Sequence, residues 1–279
     1  MLVFETIEKL QQHLSSVSTE GNIGFVPTMG ALHNGHLSLI EEAKKENELI
    51  VVSIFVNPTQ FNNSDDLINY PKTLEADLQL LENIDCDVVF TPTPKEMYGE
   101  ISEAEKFDFD GIENQMEGAF RDGHFDGVAT IVKRLFEIVT PTNAYFGEKD
   151  FQQLQVIRKL VEKNNIPVKI HGCPIFREAD GLAMSSRNVR LTTEERKEVP
   201  FIYSVLQEAN SFFNQKEISE INALVQRKFE KNSVLDLEYF QIADEATLKS
   251  VDTILPNQKY RAFIAINVGE VRLIDNIAL

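Results

Sequence analysis

Two histidines three residues apart, His33 and His36, lie on a glycine-bearing stretch, Met29-Gly30-Ala31-Leu32-His33-Asn34-Gly35-His36. Paired imidazoles are donors that can be aimed where phosphate charge develops, stabilising a nucleotidyl-transfer transition state without covalent chemistry. A lone histidine on a loop carries no such meaning; an H-x-G-H pair at a strand-to-helix turn does. Three further polar clusters could serve the same chemistry. Asn57-Pro-Thr-Gln60-Phe61 is a proline-fixed polar loop, and Gly147-Glu148-Lys149-Asp150 places a lysine where it could pair with phosphate oxygens, with Gln153 one turn further on. Arg177 to Asn188 contains Met184-Ser185-Ser186-Arg187, two hydroxyls and a guanidinium that could clamp a triphosphate as a closing loop. On composition alone Glu148 to Asp150 reads equally as a solvated loop with Asp150 as an N-cap, and Arg177 to Asn188 as a polar interdomain linker.

These clusters need elements to place them. Ile23 to Val26 is an apolar run that predicts a buried strand, and Leu37, Leu39, Ile40 and Ala43 then take helical spacing to about Asn47. Such a strand, turn and helix start presents unpaired N–H groups and the positive end of a helix dipole, which suits phosphate. Glu5 to Ser15 reads as an opening helix, and Leu49 to Val56 as a strand covered on both faces. Leu74, Leu78 and Leu81 mark a helix, Asp87 to Phe90 a strand, and Thr91 to Phe109 mostly loop. Val128 to Phe136 is helical, Ala144 to Phe146 a strand, Phe151 to Asn164 a helix and Val168 to Cys173 a strand.

This alternation is the signature of an α/β fold with a parallel sheet, whose strand ends hold ligands. Past Phe176 the pattern changes. Thr192-Thr193-Glu194-Glu195 resembles a capping box opening a long helix, and Ser219 to Lys231 reads as another. Short strands are expected at Leu237 to Ala243, Tyr260 to Val268 and Val271 to Ile274. The chain is therefore read as two domains, 1–175 built on the parallel sheet and 176–279, a smaller α+β domain.

The composition narrows the partners. A formal charge of −17 over 279 residues disfavours nucleic acid, although an anionic small substrate is compatible with it if local Lys and Arg cluster near the histidine turn. No apolar run reaches membrane-spanning length and the N-terminus lacks an export pattern, so a cytoplasmic protein is expected, with no membrane partner. Cys86 and Cys173 stand apart from any metal or redox spacing and read as small core residues without a disulfide. A G-x-x-x-x-G-K-[ST] loop, a G-x-G-x-x-G after the first strand, H-E-x-x-H and G-x-S-x-G are all absent.

Taken in order, G-F-V-P-T-M-G-A-L-H-x-G-H, N-P-x-Q-F, F-G-E-K-D-F-Q-Q-L and R-E-A-D-G-L-A-M-S-S-R-N closely resemble the pantothenate synthetase (pantoate–β-alanine ligase) family. The likeness covers nearly the whole chain, including Met116-Glu117-Gly118 with Arg121 and His124, and Arg272-Leu-Ile-Asp-Asn276. The wider group is the H-I-G-H nucleotidyl-transferase superfamily, whose second signature corresponds to Met184 to Arg187.

The resemblance implies a Rossmann-like first domain and a lid-like second one, and a ligation of pantoate and β-alanine through a pantoyl adenylate formed with ATP. It places ATP on Met29, Gly30, Ala31, Leu32, His33, Asn34, Gly35 and His36, on Gly147, Glu148, Lys149 and Asp150, on the Phe176 backbone, and on Met184, Ser185, Ser186 and Arg187. His33, His36 and Lys149 are the implied catalytic groups, with His36 the proton donor. Gln60 and Gln153 would hold pantoate, with Gln60 also near β-alanine. Mg²⁺ is implied with ATP, bound mainly through its phosphates. Asp77 lies at a family position linked to the metal, but Ala76 lacks the carboxylate some relatives carry there, so no protein ligand is assigned. Thr59 and Asp122 stand where methionine and proline are common. The resemblance also implies a homodimer. Two other readings are open: another adenylyltransferase of the superfamily, which would need a basic pocket rather than Gln60 and Gln153, and a non-catalytic ATP-binding regulator.

Overall fold

Apolar residues on both faces of a short run dictate a strand sandwiched between helices. Leu49–Ile54 is such a run, with Ile50, Val51, Val52 and Ser53 all buried. The structure, a computed structural model, describes residues 1–17, 21–62 and 64–279. It separates into two units, Met1–Glu148 with Gln153–Pro174, and Lys149–Gln152 with Ile175–Leu279.

The first unit holds strands β1 (Leu2–Phe4), β2 (Ile23–Thr28), β3 (Leu49–Ile54), β4 (Val88–Phe90), β5 (Asn143–Gly147) and β6 (Lys169–Cys173) in one parallel sheet of order β1-β4-β3-β2-β5-β6. Its helices are α1 (Ile7–Ser16), α2 (Asn34–Ala43), α3 (Ser64–Ile68), α4 (Leu74–Asn83), α5 (Pro94–Tyr98), α6 (Met116–Phe120), α7 (His124–Val139) and α8 (Phe151–Asn164). Side chains alternate across the sheet. Val26, Val52 and Val89 pack with Leu39 and Ile40 of α2 and Leu81 of α4, and Phe25 meets Phe136 of α7 edge-on at 6.3 Å. Each such side chain, fully buried, contributes roughly 1.5–3 kcal/mol.

From β2 the chain adds β3 and then β4 outward, beside the N-terminal β1 at the edge, and returns with β5 on the other side of β2. The C-terminal ends of β2 and β5 therefore flank a topological switch point, where open α/β sheets bind ligands. The polar clusters expected at strand ends sit there: Met29–His36 follows β2, Asn57–Phe61 follows β3, and Gly147–Glu148 closes β5.

The second unit packs α10 (Phe201–Phe212) and α11 (Ile218–Phe229), following the short α9 (Thr193–Glu198), with an antiparallel sheet of β7 (Asp236–Asp244), β8 (Tyr260–Val268) and β9 (Val271–Ala278). Val205, Leu206 and Ala209 join Ile221, Val225 and Ala262, Ile264 and Ile266 in its core. The Thr192–Glu195 capping box forms, each side chain bonding the other residue's backbone N–H. The long helix expected after it does not. Pro200 has no N–H to continue the ladder, so α9 ends and α10 starts afresh. The expected loop 91–109 also contains the short α5, capped by Thr93.

Cys86 and Cys173 are both buried free thiols, and burial pushes them up to about 12 and about 11. Among the described residues, no helix is long and apolar enough to cross a membrane.

Candidate active site

Gly30 and Ala31 carry the chain through left-handed conformations, at φ +79° and +49°. This turns two successive N–H groups, of Ala31 and Leu32, onto one carboxylate. Asp77 Oδ2 accepts from Ala31 at 2.9 Å and Oδ1 accepts from Leu32 at 2.8 Å, with the Thr73 hydroxyl on the same Oδ1 at 3.1 Å. A Cβ on Gly30 would stand 3.0 Å from Asp77 Oδ2, so the turn has both the backbone angle and the space of glycine. Asp77 is 2% exposed. The sequence marked it only as a family position linked to the metal and assigned it no ligand role, although its position between Leu74 and Leu81 put an acid on the apolar face of α4.

The histidines then cap their own helix. His33 is the N-cap of α2, its Nδ1 accepting the Gly35 N–H at 3.1 Å, while His36 Nδ1 accepts the His33 N–H at 3.3 Å. A neutral imidazole that accepts on Nδ1 carries its proton on Nε2. Both rings are thus set as Nε2–H donors, with centroids 4.1 Å apart. Asn34 opens the helix, and the Gly35 carbonyl accepts the Ser38 hydroxyl at 2.8 Å.

After β3, Pro58–Gln60 forms one tight turn. Gln60 is buried, and its amide is oriented from both ends: Oε1 accepts Asn57 Nδ2 at 3.1 Å and Nε2 donates to Met29 Sδ at 2.8 Å. This joins the Asn57–Phe61 turn to the loop after β2. Behind it, Tyr98 donates to Asn57 Oδ1 at 2.6 Å, Thr59 donates to the same oxygen at 3.1 Å, and Asn57 Nδ2 also reaches the Gly127 carbonyl at 3.0 Å. Burial pushes the Tyr98 phenol up, keeping it a neutral donor. His124 Nδ1 donates to the Gln60 carbonyl at 2.8 Å. Helix α7 can approach this closely because residue 127 is glycine: a Cβ there would lie 2.3 Å from the Thr59 carbonyl oxygen. Asn57, Tyr98 and Gly127 went unassigned in the sequence, where only the asparagine's place in N-P-x-Q-F pointed to them.

Gln153 lies on the first turn of α8, beyond β5, as Gln60 lies beyond β3; the loop after β2 runs between those two strands' ends. Gly147 ends β5 and Glu148–Asp150 is a single 3₁₀ turn leading into α8.

The remaining site residues belong to the second unit. Lys149 Nζ lies 3.6 Å from Asp150 Oδ1, and the Lys149 carbonyl accepts Asn276 Nδ2 at 2.9 Å. The Phe176 carbonyl accepts the Met184 N–H at 3.0 Å, and Arg177 bridges to Ala183, so the stretch ahead of Met184 is a short hairpin. Ser185 caps the turn Ser186–Arg190 by accepting the Arg187 N–H. Asn188 Nδ2 returns to the Ala183 carbonyl at 3.1 Å.

The donor set bears on a metal. Asp77 has both oxygens committed to loop N–H groups, and among the described residues no three His, Cys, Asp or Glu side chains gather as a metal cage.

Known proteins agree with this architecture. The family model described as pantoate-beta-alanine ligase matches residues 2–278. A pantothenate synthetase from Christiangramia forsetii is 54% identical over 281 residues, covering 100% of this chain and 99% of that protein. One from Bacteroides fragilis is 48% identical, covering 99% and 98%. The crystal structure of pantothenate synthetase from Thermus thermophilus superposes with a TM-score of 0.92 at 40% identity, covering 99% of each chain. The pantoate-beta-alanine ligase of Francisella tularensis, complexed with beta-gamma ATP and beta-alanine, gives 0.83 at 39% identity, over 100% and 97%. With a strand-end loop of capped histidines, a matching fold and relatives at this identity along its full length, the chain belongs to the pantoate–β-alanine ligase family.

Proposed function

We propose that this chain joins pantoate to β-alanine using ATP, releasing pantothenate, AMP and pyrophosphate. The observation that carries the reading is the pair of imidazoles whose Nδ1 atoms both accept loop N–H groups, which makes each Nε2 an N–H donor at a sheet switch point. In the first step a pantoate carboxylate oxygen attacks the α-phosphorus and the bond to pyrophosphate breaks. In the second, the β-alanine amine attacks the acyl carbon, loses a proton, and expels AMP.

In-line attack at phosphorus is helped mainly by positioning and charge stabilisation. His33 and His36 donate from Nε2–H to phosphate oxygens, with His36 the donor to the leaving pyrophosphate. Lys149 holds charge on the transferring phosphate. Gly147, Glu148 and Asp150 complete the nucleotide pocket, Phe176 meets adenine through its backbone, and Met184, Ser185, Ser186 and Arg187 close over the triphosphate. Gln60 and Gln153 take the pantoate oxygens. At Gln60 the present acceptor is a thioether, a weak one that a carboxylate or hydroxyl oxygen replaces readily. Mg²⁺ would enter with ATP and be held mainly through its phosphates, which suits a cation that dehydrates reluctantly. The same reading makes the protein a cytoplasmic homodimer, and sedimentation equilibrium measures that assembly.

The test is incubation with ATP, pantoate and β-alanine. Release of AMP and pyrophosphate that requires pantoate supports the reading. Turnover that ignores pantoate, or nucleotide binding with no turnover, contradicts it.

A further inference from the structure

The Arg272-Leu-Ile-Asp-Asn276 segment lies in β9, far along the sequence from every group given a role above. Asn276 is 1% exposed, and its side chain is fixed from both ends. Its Oδ1 accepts Arg261 Nη1 at 2.6 Å, and its Nδ2 donates to the Lys149 carbonyl at 2.9 Å, 127 positions away. Arginine only donates, so the orientation of the amide is settled by its partners.

Arg261 is held in turn. Its Nε reaches Glu245 Oε1 at 2.8 Å, and its guanidinium lies 3.9 Å from the ring centroid of Phe151, two residues after Lys149. The neighbouring Asp275, 5% exposed, takes Arg177 in a two-point grip at 2.6 and 2.9 Å and accepts the Asn276 N–H at 2.7 Å. Arg177 also reaches the Gly181 carbonyl at 3.0 Å and the Asn276 carbonyl at 3.2 Å, bracing the hairpin that leads to Met184. One buried dipeptide of β9 thus anchors both stretches of the second unit that carry phosphate-binding groups.

We propose that Asn276 is a positioning residue for Lys149: its amide N–H sets the backbone of the turn from which the lysine reaches the transferring phosphate. The inference rests on the role given to Lys149 under the proposed function. Lys149 follows directly on Glu148 at the end of β5, yet its carbonyl is held by β9. A side chain that must meet a transition state within a fraction of an ångström gains from a carbonyl that cannot drift.

Asn276→Asp keeps the size and the acceptor for Arg261 but replaces the donor facing the Lys149 carbonyl with an oxygen. In single-turnover adenylation it is expected to slow the chemical step by about ten- to a hundredfold, the scale of a small misplacement. Pantoate affinity should stay unchanged, because Gln60 and Gln153 lie in the first unit. Combined with Lys149→Ala, Asn276→Asp should add no further loss. Were the variant to melt below the assay temperature, Asn276→Ser removes the same amide N–H without adding charge, and the same outcomes apply. Wild-type rate in Asn276→Asp while Lys149→Ala is slow overturns the proposal, and so does a double variant whose losses multiply. A wild-type rate in Lys149→Ala overturns the role of the lysine itself, and the positioning role falls with it.

Discussion

The Met29–His36 loop and the Glu148–Asp150 turn both leave the C-terminal ends of neighbouring parallel strands, but they are held in different ways. The histidine loop is largely self-supporting. His33 and His36 cap each other's backbone within three residues, and one carboxylate, Asp77, takes two of the loop's N–H groups. The lysine turn is tied to a distant strand: the Lys149 carbonyl accepts an amide N–H that arrives from β9. The first arrangement sets its donors by contacts within three residues, braced by one carboxylate from α4. The second makes the position of a cation depend on the packing of the second unit.

This contrast can be broken at four points. The largest effect belongs to the donors themselves. His36→Ala or Lys149→Ala should slow adenylation by on the order of a hundredfold or more, about 2.7–4 kcal/mol for one preorganised donor, with the fold kept. Single-turnover quench-flow measures this, and wild-type-like rates would refute the assigned roles.

Next comes the support of the histidine loop. Asp77→Asn sets an amide N–H against a backbone N–H, and losing a charge-assisted bond costs about 1.5–3 kcal/mol, or roughly ten- to a hundredfold in kcat/KM for ATP. An unchanged value means that the mutual capping of the histidines holds the loop by itself.

A smaller effect is expected at the substrate pocket. Gln60→Ala removes one neutral hydrogen-bonding group, about 0.5–1.5 kcal/mol, so calorimetry should show pantoate binding several-fold weaker with ATP binding unchanged. Equal pantoate affinity counts against the role given to Gln60.

The smallest effect concerns the opposite end of the sheet. His171 donates to Asn143 Oδ1 at 2.9 Å, Asn143 donates to Asn47, and Asn47 donates to the Tyr145 hydroxyl, against whose ring His171 stacks at 4.6 Å. Burial holds this imidazole below its ordinary 6.5, with Lys169 adding to the effect. Between the lowered folded value and 6.5 the unfolded chain binds more protons, so stability from this group is present above 6.5 and is lost as pH falls through that window. Thermal melts across that range should show the slope in the wild type and lose it in His171→Gln. Equal slopes would mean that the network tolerates a charged ring.

The two regions also differ in how far the sequence discloses them. The histidine pair, the strand before it and the helix after it are legible because their interactions run over three or four residues and the apolar periods are clean. Asp77 is half legible: an acid on the buried face of α4 signals a partner, but not which backbone it serves. Asn276 is not legible as a positioning group, because its partner lies 127 positions earlier and nothing local in Arg272-Leu-Ile-Asp-Asn276 indicates a carbonyl at that distance. The break between α9 and α10 was there to be read in Pro200, which outweighs an otherwise helical run.

The central claim is that pantoate is activated as an acyl adenylate at the loop after β2. Its most direct test is a turnover with pantoate labelled with ¹⁸O in the carboxylate, followed by mass spectrometry of the products. Attack at the α-phosphorus predicts one labelled oxygen in AMP and none in pyrophosphate. Unlabelled AMP, or label carried into pyrophosphate or free phosphate, contradicts it.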